Sequence, residues 1–141
     1  TVHKLLGDRH KATELLEQSL SIIRKYFPDD HIYIASGLSF LAAVYIDRGD
    51  FKKAKNMLKD SLVIYQKDYG ENHLETARVL RMLGEAYCGE GDIEVGEDYI
   101  NKSLAVFQKK NHSEIYKSYE SLGNLYLKKE AQAIADANKR Q

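Results

Sequence analysis

Residues 80–92 read LRMLGEAYCGEGD, and much of this pattern occurs again elsewhere in the chain. The closing Gly-Asp pair has two earlier copies, and successive copies lie 42 residues apart, at positions 7–8, 49–50 and 91–92. Serine-leucine pairs keep the same step, at positions 19–20, 61–62 and 103–104. A period between about 20 and 50 residues predicts stacked supersecondary units that bury a shared core.

The last copy of the pattern is shorter than the others. His112 follows His73 by 39 residues, because DYGENH at 68–73 is replaced by KNH at 110–112. Residues 1–141 are therefore expected to form one array, with a partial first repeat, two full repeats and a last, partial or capping repeat. The boundaries are 1–30, 31–72, 73–111 and 112–141. Because the chain begins inside a repeat, we expect it to be a piece of a longer array.

Each repeat is predicted to contain two helices joined at the Gly-Asp pair. Glycine favours the positive φ that ends a helix, and aspartate favours the N-cap of the next helix, so we expect a turn at all three pairs. At the other junction, Asn72 with Glu75 and Asn111 with Glu114 match the spacing of a capping box. Apolar residues at helical spacing predict helices over 9–26, 31–47, 51–69, 73–89, 93–109 and 113–129, and no strand pattern is present.

The tail of the chain lacks a further Gly-Asp pair. Residues 127–131 read LKKEA, and the remaining residues are helix-prone with one large apolar side chain, Ile134. We expect the tail either to prolong the last helix or to form part of a second helix in the fourth repeat.

The first helix of each repeat carries a known signature. Residues 80–87 and 119–126 match the spacing of W-x2-L-G-x2-Y, with leucine or tyrosine in place of the tryptophan. Ala54 and Leu58 have the spacing of the A-x3-F part that follows it, with leucine in place of the phenylalanine. The chain therefore resembles a tetratricopeptide repeat (TPR) protein over nearly its whole length. The usual TPR period is about 34 residues, and the longer 42-residue step is similar to that of kinesin light chains. The resemblance implies an all-α fold, a TPR α-solenoid of stacked antiparallel helix pairs in a right-handed superhelix.

Composition argues against several classes of function. Lys+Arg and Asp+Glu both number 21, so no net charge attracts nucleic acid or an anionic membrane. No apolar run approaches the roughly 20 residues that cross a bilayer, and we expect no membrane insertion. The single cysteine, Cys88, cannot form an internal disulfide, which favours a reducing, cytoplasmic location.

The resemblance also implies where a ligand would bind. In TPR arrays the first helices of successive repeats line a concave groove that holds an extended or helical peptide. The corresponding positions here are Ser36, Ser39, Phe40, Ala43, Arg78, Arg81, Met82, Glu85, Lys117, Glu120, Ser121 and Asn124. Ile46, Cys88 and Leu127 occupy the last groove column.

Three of these groove positions predict a basic strip. Arg78, Arg81 and Lys117 would form it, with Phe40 and Met82 as apolar contacts. A guanidinium can bind both oxygens of a carboxylate, so the strip would fit a peptide with acidic residues beside an aromatic or aliphatic anchor. In the alternative interpretation both arginines are solvated and Met82 packs between repeats.

Candidate residues for catalysis or metal binding are few. His31, His73 and His112 lie one per repeat at equivalent junctions, so stacking keeps them too far apart for one metal ion. We expect them to start helices instead. Cys88 has no histidine at a recognisable spacing and is expected to be a packed residue. The chain is therefore predicted not to be an enzyme, with no metal and no cofactor.

Three hypotheses of function remain at this point. The first is a protein-protein interaction scaffold that binds a partner peptide or protein in the concave groove. The second is a regulatory TPR receptor module of a larger protein whose other domain carries enzymatic or effector activity. The third is self-association through the repeat ends, because an uncapped solenoid exposes an apolar face.

Overall fold

The computed structural model describes residues 1–141, which form six α-helices and no strand. The helices are α1 (Val2–Tyr26), α2 (Ile32–Asp47), α3 (Phe51–Tyr69), α4 (Leu74–Gly89), α5 (Ile93–Lys109) and α6 (Ile115–Lys139). All six predicted helices are present, and the all-α prediction is confirmed. The bounds of α2 to α5 agree with the predicted bounds to within one residue.

The helices pack in two rows. α2 contacts α4, and α4 contacts α6, so the first helices of successive repeats form one row. α3 lies against α2 and α4, and α5 lies against α4 and α6, but α3 and α5 do not contact each other. The row whose members touch is the inner, concave side of the stack. The second row, with α3 and α5, lies on the outer, convex side.

The core follows the predicted apolar columns. Leu41, Leu58 and Leu83 are at most 2% exposed and belong to one cluster that joins α1 to α4. Phe107 is fully buried in a smaller cluster with Ala77 of α4. Burying a side chain of this size stabilises the fold by about 1.5–3 kcal/mol. The repeat columns are therefore the positions that hold neighbouring helices together.

Two of the three predicted Gly-Asp turns are confirmed. Gly49 and Gly91 have φ angles of 82° and 95°, in the left-handed region that glycine adopts without strain. The N–H of Asp50 donates to the carbonyl of Tyr45 at 2.8 Å and closes the first of these turns. Asp50 and Asp92 stand at the N-cap positions, as predicted, but their side chains make no capping hydrogen bond.

The turn predicted at Gly7-Asp8 is wrong. α1 passes through this pair and begins at Val2, well before the predicted start at residue 9. Residues 1–12 are all exposed. A Gly-Asp pair permits a turn, but the turns at the other pairs lie between two helices that pack together. Since nothing packs against the first half of α1, its intrahelical hydrogen bonds continue through the pair.

The capping boxes predicted at Asn72 and Asn111 are also wrong, because α4 is capped by His73 and the N-cap residue of α6 is Glu114. His73 is the N-cap of α4, and its Nδ1 accepts a hydrogen bond of 3.1 Å from the backbone N–H two residues later. The same bond, also at 3.1 Å, is made by His31 and His112. His31 and His73 therefore start α2 and α4, as predicted, whereas His112 lies in the turn three residues before the start of α6.

α4 and α5 approach each other closely at two glycines. A Cβ atom on Gly84 would lie 2.7 Å from the carbonyl oxygen of Gly96, and a Cβ on Gly96 would lie 2.7 Å from that of Gly84. Real Cβ atoms do not approach backbone this closely. The two helices therefore reach this spacing only because both residues lack a side chain.

The tail prolongs the last helix, which decides between the two expected alternatives. α6 runs without a break from Ile115 to Lys139. Its buried residues all lie in its first half, at Ser118, Ser121 and Leu125. The second half has no helix to pack against in this chain and remains mostly exposed.

Candidate binding groove

The predicted groove residues lie on α2, α4 and α6, the helices of the inner row. Phe40 on α2 is 63% exposed, and Glu120 and Asn124 on α6 are also exposed. Ser121 is buried. The half-buried positions are Ser36, Ser39, Ala43, Arg78, Arg81, Met82, Glu85 and Lys117. Met82 packs against the core cluster that joins α1 to α4, as the alternative interpretation expected.

Arg78 joins α4 to the start of α6. Its Nε donates a hydrogen bond of 2.6 Å to Glu114, and its guanidinium also pairs with Glu75. Lys117 donates to the other carboxylate oxygen of Glu114 at 3.0 Å. The hydrogen bond from Arg78, aided by the one from Lys117, outweighs the opposing effect of burial and lowers the pKa of Glu114 to about 2.

Arg81 is held by a second carboxylate. Its Nη1 pairs with Glu85 one turn later at 2.6 Å, and the hydroxyl of Ser121 on α6 donates to the same carboxylate oxygen at 2.7 Å. The Arg81 Nε is buried and has no hydrogen-bond partner. The three cations predicted to form a basic strip are thus each paired with a carboxylate of this chain.

The low pKa of Glu114 predicts a measurable pH dependence of stability. A carboxyl whose pKa is lower in the folded state stabilises the fold above its unfolded pKa, and this contribution disappears as the pH falls through the folded value. Allowing for screening at this partly solvated site, we expect Glu114→Gln to cost about 1–2 kcal/mol at neutral pH. Urea unfolding should show wild-type stability falling between about pH 5 and pH 2, with a smaller fall in the variant.

The control for this measurement is Glu120→Gln on the same helix. Glu120 is exposed, and no ion pair involves it. Its variant should follow the wild-type pH curve. An unchanged curve for Glu114→Gln would show that the contact between Arg78 and Glu114 does not stabilise the fold.

A cavity of about 260 Å³ opens into the groove near the C-terminal end of α4. Its lining includes the buried residues Cys88, Ile100 and Leu125, together with Ile46 and Phe51. Polar or small residues complete the wall, at Glu85, Gly89, Ser121, Asn124 and Lys128. An apolar cavity with a few polar groups beside it is the usual form of a binding site.

Half of the lining residues were not predicted as part of the groove, namely Phe51, Gly89, Ile100, Leu125 and Lys128. The signal that could have indicated the cavity is Gly89, whose equivalents in the neighbouring repeats are Asp47 and Lys128. A Cβ on Gly89 would lie 2.5 Å from the Phe51 ring. The glycine therefore lets this ring lie against the last turn of α4, beside the cavity.

Cys88 is a packed residue, as predicted. It is 7% exposed, and burial raises the pKa of its thiol. Lys128 of α6 donates to the Cys88 carbonyl at 2.8 Å and so connects α6 to the end of α4. No three side chains of His, Cys, Asp or Glu come close enough together to hold a metal ion. None of the helices combines the length and the apolar character needed to cross a membrane.

Solved structures of repeat proteins have the same architecture. The structure of BtubC (BKLC) from P. vanneervenii matches with a TM-score of 0.75 and 24% identity, over 95% of this chain and 56% of that one. This chain thus spans little more than half of its length. A Podosopora anserina protein with nearly identical TPR-like repeats of the kinesin light chain type matches with a TM-score of 0.63 and 22% identity, over 99% of this chain and 72% of that one.

The sequence itself identifies the family. No curated protein matches the chain in sequence. A family model described as tetratricopeptide repeat, however, matches residues 1–67 and 33–109, most of the chain. The chain therefore belongs to the tetratricopeptide repeat family, and its structural neighbours are kinesin light chain-like.

Proposed function

We propose that the chain is a non-catalytic interaction module that holds a partner peptide in the groove of α2, α4 and α6. The observation that carries this proposal is the cavity of about 260 Å³ that opens into the groove. Pockets for whole small molecules usually measure about 300–1,000 Å³. A smaller apolar cavity in an open groove suits one side chain of a longer ligand, which favours a peptide with an aliphatic or aromatic anchor.

Exposed groove residues supply two further contacts that a peptide needs. Phe40 offers an apolar surface on α2, where 63% of it is exposed. Asn124 lies in the wall of the cavity, and its amide can both donate to and accept from a peptide backbone. A peptide anchored in the cavity could therefore be held through its main chain at one helix and through a second apolar side chain at another.

Acidic residues on the peptide would contribute less to binding affinity than the presence of three cations in the groove suggests. Arg78 and Lys117 already donate to Glu114, and Arg81 pairs with Glu85. A peptide carboxylate would share these cations with the carboxylates of the chain. We therefore propose that the apolar anchor is the main determinant of binding and that an acidic residue beside it is a secondary one.

Peptides selected from a random display library on the immobilised chain provide a probe for this groove. We expect Phe40→Asp to weaken their binding by about tenfold or more, because it puts a charge in place of an exposed apolar contact and the loss of a hot-spot contact costs about 2 kcal/mol or more. Fluorescence anisotropy with labelled peptides measures the affinity. The matched control is Val63→Asp, which charges a similarly exposed apolar residue on α3, on the convex side.

The Val63→Asp variant should bind the selected peptides with wild-type affinity. Wild-type affinity in Phe40→Asp as well would remove α2 from the binding site. An equal loss in both variants would place the site elsewhere, provided that circular dichroism shows both to be folded.

A further inference from the structure

The convex side carries a basic surface that the groove proposal does not use. Four lysines occur in the first three turns of α3, with no carboxylate among them, at Lys52, Lys53, Lys55 and Lys59. We call them the lysine stripe. Lys55 is half-buried and pairs with Glu90 of α4's C-terminal end at 2.5 Å. Lys52, Lys53 and Lys59 are exposed and form no ion pair, so these three are the members that can meet a partner. Lys52, Lys55 and Lys59 are spaced at i, i+3 and i+7, so they lie along one face of the helix.

The repeat does not require lysine at two of these positions, because α5 carries glutamate at their equivalents. Lys52 and Lys55 correspond to Glu94 and Glu97, which follow them by 42 residues. Asn56, on the same face, corresponds to Asp98. Both helices pack on the inner row in the same manner, so the basic face belongs to this repeat alone.

Two of these lysines also stand where they oppose the helix dipole. The first turn of α3 contains Lys52 and Lys53 and no acidic residue, although the N-terminus of a helix favours negative charge. The first turn of α5 contains Glu94, as the dipole favours. The helix dipole therefore does not explain Lys52 and Lys53, and a role in recognising a negative partner would.

Aromatic rings restrict part of the lysine stripe. The Nζ atoms of Lys55 and Lys59 lie 4.5 and 5.4 Å from the centre of the Tyr87 ring, and Lys53 lies 4.6 Å from that of Tyr45. Contacts of this kind attract an ammonium group to the ring face. They reduce the freedom that these side chains would lose on binding a partner.

We propose that the lysine stripe binds an acidic segment of a partner protein, on the opposite side of the solenoid from the groove. The stripe spans only eight residues from Lys52 to Lys59, about 10 Å of helix, and carboxylates flank it at Asp50, Asp60 and Glu90. These carboxylates would repel the long phosphate backbone of a nucleic acid or the extended charge of a membrane. A short acidic polypeptide segment can contact the lysines without lying over the flanking carboxylates.

The repeat itself provides the variant that tests this proposal. Lys52→Glu, Asn56→Asp and Lys59→Asn place the α5 residues Glu94, Asp98 and Asn101 into the equivalent positions of α3. A control variant with the same net charge carries Lys4→Glu, Gln18→Asp and Lys11→Asn, all at exposed positions of α1. A fluorescein-labelled oligoglutamate peptide is the probe, and its anisotropy is measured at low and at physiological salt.

We expect the α3 variant to bind oligoglutamate at least about tenfold more weakly than wild type, and the α1 variant to bind within about twofold. The thermal midpoint of the α3 variant should equal or exceed that of wild type, because its new glutamate suits the helix dipole. Phe40→Asp, in the groove, should bind oligoglutamate normally. This separates failure of the present proposal from failure of the groove proposal.

Several results would overturn the proposal. They are no binding of oligoglutamate by wild type at low salt, wild-type affinity in the α3 variant, and an equal loss in the α1 variant. Tighter binding of a DNA duplex or of phosphatidylserine vesicles, with the same sensitivity to the α3 variant, would also overturn it in favour of that other class of partner.

Discussion

Replacing Gly96 with alanine should lower the free energy of unfolding by about 3 kcal/mol, the upper part of the range for overpacking a core. The new methyl group would lie 2.7 Å from the carbonyl oxygen of Gly84 and would also collide with the Cys88 sulfur. The first of these atoms is backbone in the middle of α4, so it cannot rotate away. The two helices would have to separate, and the contacts around the buried Ile100 would loosen with them. Urea unfolding followed by circular dichroism measures the loss.

Gly123→Ala is the matched control for this substitution. Gly123 occupies the same repeat column as Gly84, but no atom lies within 4 Å of its Cβ position. Alanine at this helical site should raise stability by about 0.5–1 kcal/mol, because glycine costs more entropy in a helix. If Gly96→Ala also proved neutral or stabilising, α4 and α5 would not approach each other as described.

Phe107→Ala is expected to have the second large effect, a loss of about 3–5 kcal/mol. Phe107 is fully buried, and its cluster joins Ala77 of α4 to Ile115 at the start of α6. Removing the ring would leave a cavity at the place where the last repeat meets the one before it. α6 should therefore lose hydrogen-exchange protection first, since it packs mainly on α5.

Two further variants distinguish the effect of losing buried volume from the effect of losing an aromatic ring of any kind. Phe107→Leu keeps most of the buried volume and should cost less than about half as much as the alanine variant. Tyr116→Ala removes an aromatic ring that is 54% exposed on α6 and should change stability by less than about 0.5 kcal/mol. A uniform loss of protection in all helices of Phe107→Ala would contradict the local role of this cluster.

The repeat step predicted the bounds of α2 to α5 because each of these helices packs against neighbours on both sides. The same pattern fails at Gly7, where a Gly-Asp pair lies inside a helix, since nothing packs on the first half of α1. Sequence columns therefore predict a turn only where the flanking helices dock. The histidines were predicted to start helices, but the sequence did not indicate that the Nδ1 of His73, and not the side chain of Asn72, caps α4.

The repeat columns predicted which residues lie in the groove, but they did not predict which side chains those residues contact. The columns place Arg78 and Arg81 on the inner row, but the pairing of Arg78 with Glu114 joins residues 36 positions apart, in different repeats. No local pattern contains that information. The cavity depends on Gly89, which departs from the residues at the equivalent repeat positions, and on the Phe51 ring, which belongs to the preceding helix pair.

The proposal that this chain binds peptides in its concave groove is tested most directly by NMR mapping. A peptide selected from the display library is titrated into the ¹⁵N-labelled chain, and shifted amide signals are assigned. We predict that the largest shifts cluster on the inner row, around Phe40, Cys88 and Asn124. Shifts that cluster instead on α3 and α5, or at the exposed first half of α1, would contradict the groove as the binding site.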